Sequence, residues 1–243
     1  MLALFRKEIS GFFSSVTGYL VIIIFLIANG LFLWVFPGQL NLIDSGYASL
    51  DTLFLMAPWI FLFLVPAVTM RLFAEEKRTG TLELLLVRPL TSFQLVLAKY
   101  LAALALLLFS LLPTLVYFLS VYLLADPPGN MDTGATWGSY TGLFLLASLY
   151  AAIGLFCSSL TENQVIAFIL AAGLSFFMYL GFESIGLLPF MESIDHFVIR
   201  IGINEHYQSL SRGVIDSRDI FYFLGWDMVF LLFTRTVLES RTW

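Results

Sequence analysis

Residues 53–99 read LFLMAPWIFLFLVPAVTMRLFAEEKRTGTLELLLVRPLTSFQLVLAK. The stretch from about 53 to 73 is apolar and, at about 1.5 Å per residue, long enough to cross the roughly 30 Å hydrocarbon layer of a bilayer. It runs into Glu75, Glu76, Lys77 and Arg78, and Gly80 ends the helix in the manner of a C-terminal cap. A short helix from about Thr81 to Arg88 follows, with Glu83 in its first turn, where a carboxylate complements the helix dipole. Pro89 stops that helix, because it lacks an N–H and restricts the residue before it. Thr91 and Gln94 then have capping-box spacing for a new helix leading into the next apolar run. Two spans joined by a transverse helix between two marked breaks predict a polytopic helical membrane protein. The transverse helix either docks into a groove on a soluble partner and passes rigid-body movement to both spans, or lies on lipid headgroups as a charged interfacial turn.

Outward from this hairpin, apolar runs of span length recur at about 16–36, 97–124, 138–160, 163–182 and 220–238, making six in all. The composition agrees. With 60% hydrophobic and 12% charged residues and a mean hydropathy of +0.92, too little polar surface exists to cover a soluble globule. The first run is too long for a signal-peptide core and lacks a small-residue cleavage site, so it reads as a retained span. Run lengths exclude a membrane β-barrel, whose strands are about 10 residues long. An isoelectric point near 4.9 with 12 Lys and Arg leaves no basic patch for nucleic acid. Arg6, Lys7, Arg71, Lys77, Arg78, Arg88, Lys99, Arg235 and Arg241 fall on one side of a six-span layout; only Arg200, Arg212 and Arg218 fall on the other. The positive-inside rule therefore places both termini in the cytoplasm. Ten of the 17 acidic residues fall on the outer side, so the net charge of −5 reports topology.

Several local patterns define candidate faces. Leu2, Phe5, Ile9, Phe12, Phe13 and Val16 recur at helical spacing opposite Arg6, Lys7 and Glu8, which predicts an amphipathic interfacial helix over 1–15. Gly138 and Gly142, then Ala147, Ala151, Gly154 and Ser158, form a small-residue face along the fourth span, for packing within the chain or against a second copy. Thr161 and Gln164 repeat the capping-box spacing before the fifth span. Asn29 with Gly30, and Pro58, Pro66 and Pro113, predict bends. Between Glu183 and Asp219, apolar residues at a roughly helical period predict short helices in or dipping into the outer leaflet, serving as an exit gate or as a lid over apolar spans.

Catalytic chemistry has little support. The motif His-Glu-x-x-His is absent, and His196 and His206 fall outside the spans, which disfavours zinc or Ser–His chemistry in the bilayer. Paired glutamates at Glu75 and Glu76 fit a prenyl-protein-type protease only if an arginine follows the second by four residues, where Gly80 stands. Cys157, the single cysteine, forms no internal disulfide and builds no zinc or iron–sulfur site alone, so no metal or catalytic residue is assigned. Channels and secondary transporters carry several ionisable groups in their spans, whereas here only Asp227 lies well inside one. Asp227 is either a cargo or gating contact or a hydrogen-bonded interfacial carboxylate beside Trp226.

The run EEKRTGTLELLLVRP at 75–89, followed ten residues after its proline by Lys99, resembles the signature of ABC-2 type exporter permeases. Further stretches at 132–135, 138–143, 153–168 and 211–222 are similar to the GldF-like permease subunits associated with bacterial gliding motility. The resemblance implies that the hairpin over 74–96 carries a coupling helix that meets an ATP-binding subunit, with Glu75, Glu76, Arg78, Gly80, Thr81, Glu83, Arg88 and Pro89 as the coupling element. No Gly-x-x-x-x-Gly-Lys-Ser/Thr occurs in the chain, so ATP and magnesium belong on a separate ATPase and no cofactor belongs here. The expectation is therefore one all-α integral membrane domain over 1–243, with six transmembrane helices, cytoplasmic termini, an interfacial helix, a coupling helix and short external helices. The resemblance further implies a permease subunit of an exporter in a bacterial inner membrane, paired with an ABC ATPase and with a second copy or a related permease, and contacting membrane lipid. The competing reading is a non-transporting scaffold of a motility or secretion complex. No residue pattern names the cargo.

Overall fold

The computed structural model describes residues 1–86, 91–187 and 195–240, which among themselves contain helices and no strand. Helix α1 (Leu2–Ser14) ends where Ser15 takes an extended backbone, and α2 (Val16–Gly30) turns away from it. The sharp turn needs Gly18, where a Cβ would sit 2.3 Å from the Phe12 carbonyl oxygen. A π-helical segment, Leu31–Val35, completes the first span. At Asn29 and Gly30, where the sequence predicts a bend, the helix passes into this π-helical segment, and Gly30 leaves room for the Tyr117 hydroxyl, which donates to Leu26 O at 2.9 Å. Short α3 (Leu42–Ser45), capped by Asn41, leads to α4 (Asp51–Thr69) and α5 (Arg71–Arg78), which together make the second span.

Past Gly80 the transverse helix α6 (Thr81–Leu86) follows. Its expected end at Arg88 and Pro89 lies outside the described residues. Helix α7 (Ser92–Leu111) opens with both bonds of the Thr91–Gln94 capping box, each 3.2 Å. At Pro113 the chain tightens into a 3-10 turn, Leu112–Thr114, before α8 (Leu115–Leu124) completes the third span. Helix α9 (Thr133–Leu160) starts about one turn earlier than its apolar run, because Asp132 caps it by accepting from Ala135 N. Before α10 (Gln164–Phe176) the expected cap is displaced. Asn163, adjacent to the helix, accepts from Val165 N and Ile166 N, and Thr161 instead accepts from Asn163 N. The fifth span ends through a π-helical segment, Phe177–Gly181, and α11 (Phe182–Gly186). Short helices α12 (Asp195–Ile199) and α13 (Ile203–Ser211) precede α14 (Ser217–Glu239), the sixth span.

The bundle is organised around α9, of whose most apolar stretch 83% is buried, against 28% for the first, fifth and sixth spans. Helices α4, α7, α10, α13 and α14 all pack on it. Small side chains make this possible. A Cβ at Gly154 would fall 1.9 Å from Thr69 Oγ1, one at Gly142 2.5 Å from Leu210 Cβ, and one at Gly138 2.7 Å from Gly213 O. In lipid, where apolar surface gains little by leaving its solvent, such close approach is what holds helices together. Exposed Leu, Ile and Phe along α2, α10 and α14 then face the hydrocarbon.

Candidate functional site

The hairpin formed by α5, Gly80 and α6 has two faces. Inward, α5 is bonded into the core. Ser158 Oγ on α9 accepts from Phe73 N and Ala74 N at 3.0 and 3.1 Å and donates to Met70 O at 2.7 Å. Lys77 is buried and donates to the carbonyl of Ser159, near the α9 C-terminus, where a cation complements the helix dipole. Lys99 on α7 is the hub. Only 1% of its side chain is exposed, and its Nζ lies 2.9 Å from Glu76 Oε1, 3.1 Å from Glu8 Oε1 and 2.7 Å from Leu72 O. The ammonium also stands over the Phe73 ring at 5.2 Å. Lys7 adds a partly exposed pair to Glu76 at 3.5 Å. Thus α1, α5 and α7 meet on one buried cation. A second tie joins Arg71 to Ser15 and Thr17 at 3.2 and 3.1 Å, with the guanidinium over Phe12, across the α1–α2 turn.

Outward, Glu75, Arg78, Gly80, Thr81 and Glu83 are exposed. The turn between them holds its own shape. Gly80 has φ +69°, the left-handed region glycine favours, and Thr79 Oγ1 donates to Glu75 O at 2.9 Å and contacts Thr81 Oγ1 at 3.0 Å. Of the eight residues singled out from the sequence, Glu76 therefore turns inward to Lys99, five are presented on the outer face, and Arg88 and Pro89 lie outside the described residues. The inward partners Glu8, Arg71 and Lys77 were not singled out; the readable signal was a lysine, Lys99, inside an apolar run, which demands a buried counter-charge.

The small-residue face is occupied within the chain. Gly138 and Gly142 meet Gly213 and Leu210, Gly154 meets Thr69, Ser158 bonds α5, and Ala147 and Ala151 are fully buried. Asp227 sits near the midpoint of α14, because that helix starts at Ser217, earlier than its apolar run. Its Oδ2 accepts from Ser148 Oγ on α9 at 2.9 Å, while Oδ1 is buried without a hydrogen-bond partner among the described residues and the Tyr100 phenol lies within electrostatic reach. The pair ties the sixth span to the central helix by a polar contact. His206 is also accounted for structurally, with Nδ1 2.7 Å from Asp219 Oδ1, Nε2 2.9 Å from Arg200 O, and the ring stacked on Tyr222.

Six apolar spans around a buried small-residue helix, with a polar two-faced hairpin at one end, define a multi-pass helical membrane protein. Its family follows from sequence: the model for the ABC-2 family transporter protein matches residues 3–238, and the chain belongs to that family. Comparison with curated proteins gives no match. Members of this family are membrane translocation subunits rather than catalysts, and they work with an ABC ATPase.

Proposed function

We propose that this chain is half of the membrane core of an exporter, and that the α5–Gly80–α6 hairpin is where a separate ATPase, carrying ATP and magnesium, drives it. The observation that carries this reading is the two-faced hairpin. Its outward groups Glu75, Arg78, Thr81 and Glu83 are free to meet a partner, while its inward groups are bonded to α7 and α9, so a displacement of the hairpin is transmitted to the spans. In this reading the hairpin and both termini face the bacterial cytoplasm across the inner membrane, in keeping with nine basic residues on that side. The core is completed by a second copy or a related permease. The gliding-motility or secretion role proposed here rests on the resemblance of residues 132–135, 138–143, 153–168 and 211–222 to GldF-like subunits.

The test is reconstitution in vesicles with the separate Walker-motif ATPase that this reading requires, sought first among neighbouring genes. Wild-type chain should raise ATP turnover and drive efflux. Glu83→Lys, on an exposed position, should insert normally but leave turnover at the ATPase's basal rate. Unchanged stimulation would sink the coupling role of the hairpin. An ATPase that copurifies with wild-type chain while its turnover ignores it would establish the scaffold reading instead.

A further inference from the structure

At the end of the bundle opposite the hairpin, a cavity of about 630 Å³ opens between α4, the Phe177–Gly181 segment and α13. Its volume falls in the range of sites that take small ligands. Its chemistry is graded by depth. Asp51 is the first residue of α4, at the end of the second span, and Arg212, just past α13, lines the same cavity. Trp59 lies eight residues further along α4, roughly 12 Å deeper at about 1.5 Å per residue, with its ring edge-to-face on Tyr179 at 5.7 Å. Leu55 and Trp59 line the cavity and are also exposed on the flank of the bundle, so the space opens sideways to the bilayer at headgroup depth.

The charges at the rim are exposed and face one cavity without pairing to each other. Among the described residues, neither the Asp51 carboxylate nor the Arg212 guanidinium makes an ion pair or a side-chain hydrogen bond, and the Gln208 amide beside them has no partner either. Groups of opposite sign that line one cavity and remain open to its space can receive a ligand that carries both signs. A guanidinium suits phosphate, which it can grip with two parallel N–H bonds. A carboxylate and an amide oxygen suit a primary ammonium. From these we infer that the cavity binds the phosphoethanolamine headgroup of a bilayer lipid, with phosphate on Arg212, ammonium on Asp51 and Gln208, and the upper acyl chain along Leu55 and Trp59. An anionic lipid lacking the ammonium leaves Asp51 facing like charge. This assignment rests on the bilayer setting alone and stands or falls independently of the coupling role of the hairpin.

The experiment is native mass spectrometry of the full chain released from nanodiscs containing equal amounts of phosphatidylethanolamine, phosphatidylglycerol and phosphatidylcholine. Phosphatidylethanolamine should be retained preferentially, and Arg212→Gln and Asp51→Asn should each reduce its retention about tenfold, as expected for losing one charge-assisted contact. Gln208→Ala, on an exposed position, should reduce it by a smaller factor and stands in for either charge variant that does not fold. Equal retention of phosphatidylglycerol, or retention unaffected by all three substitutions, would overturn the proposal. Displacement of the lipid by soluble glycerophosphoethanolamine at equal concentration would overturn the lipid source, leaving a headgroup site served from water.

Discussion

The two ends of the bundle solve the same problem, fixing short helices to the spans, by different chemistry. At the hairpin end, α1 and α5 are held by ions: Lys99 between Glu8 and Glu76, and Arg71 on the α1–α2 turn. At the other end α13 is held mostly by shape and by backbone carbonyls, with one side-chain pair, His206 to Asp219 at 2.7 Å, joining it to α14. Gly213 lies against the first turn of α9, Ser139 donates to Ser211 O at 2.8 Å, and Tyr207 donates to Phe54 O at 2.6 Å. A charged clasp can exchange partners with water or with a docking protein, because each ion remains solvable once exposed. A seam of glycine and carbonyl contacts has no such alternative partners. One end of this molecule is therefore fastened chiefly by charge and the other chiefly by shape.

The largest effect separating the two ends comes from Lys99. Replacing it with Met removes the buried cation and leaves the Glu8 and Glu76 carboxylates, only 13% and 12% exposed, with no partner but the exposed Lys7 at 3.6 and 3.5 Å. Removing one partner of a buried pair costs about 3–5 kcal/mol, so Lys99→Met should lower the thermal midpoint in detergent steeply. Adding Glu8→Gln and Glu76→Gln to the same chain should recover much of that loss, since no uncompensated charge then remains. Failure of the triple variant to recover would show that the carbonyl contact to Leu72, rather than charge pairing, is what Lys99 supplies.

Next in size is the seam. Gly213 has φ +82°, and a Cβ there would come 2.2 Å from Ala135 Cα. Gly213→Ala combines left-handed strain of about 1–2 kcal/mol with overpacking of about 1–3 kcal/mol. Its loss of thermal stability should be unchanged by salt, whereas the exposed part of the charged clasp, Lys7 with Glu76, weakens as salt rises. Equal salt sensitivity at both ends would erase the distinction drawn above.

Much of this was legible in the sequence, and the remainder fails for physical reasons. Span count follows from run length, and Gly80 and the Thr91–Gln94 box were readable because caps are local: each needs only residues within one turn. Helices begin before their apolar runs where a polar first turn belongs to the helix but not to the run, as at Thr133 and Ser217. Thr161 and Asn163 offered two caps within three residues, and local spacing does not decide between them. Partners distant in the chain were not legible at all. Spacing shows that Gly154 and Ser158 share a face but not that the face meets Thr69 and α5, and nothing near Lys99 in sequence points to Glu8, 91 residues away.

The smallest effect tests a distant partnership of this kind. Pro58 has no N–H, so the Phe54 carbonyl one turn earlier in α4 lacks its usual helical donor. Tyr207 on α13 supplies one instead, and burial beside the Tyr179 phenol pushes the Tyr207 hydroxyl well above its ordinary range, keeping it a neutral donor. Tyr207→Phe leaves that carbonyl buried and unmet, at a cost of about 1–2 kcal/mol in the unfolding free energy. In a Pro58→Ala background the alanine N–H restores the helical bond, and Tyr207→Phe should then cost less by about 0.5 kcal/mol or more. Equal costs in the two backgrounds would mean that Tyr207 contributes by filling space between α13 and α4. A measured coupling would mean that the proline in the second span and the tyrosine in the short helix form one device, holding the rigid end of the bundle in place.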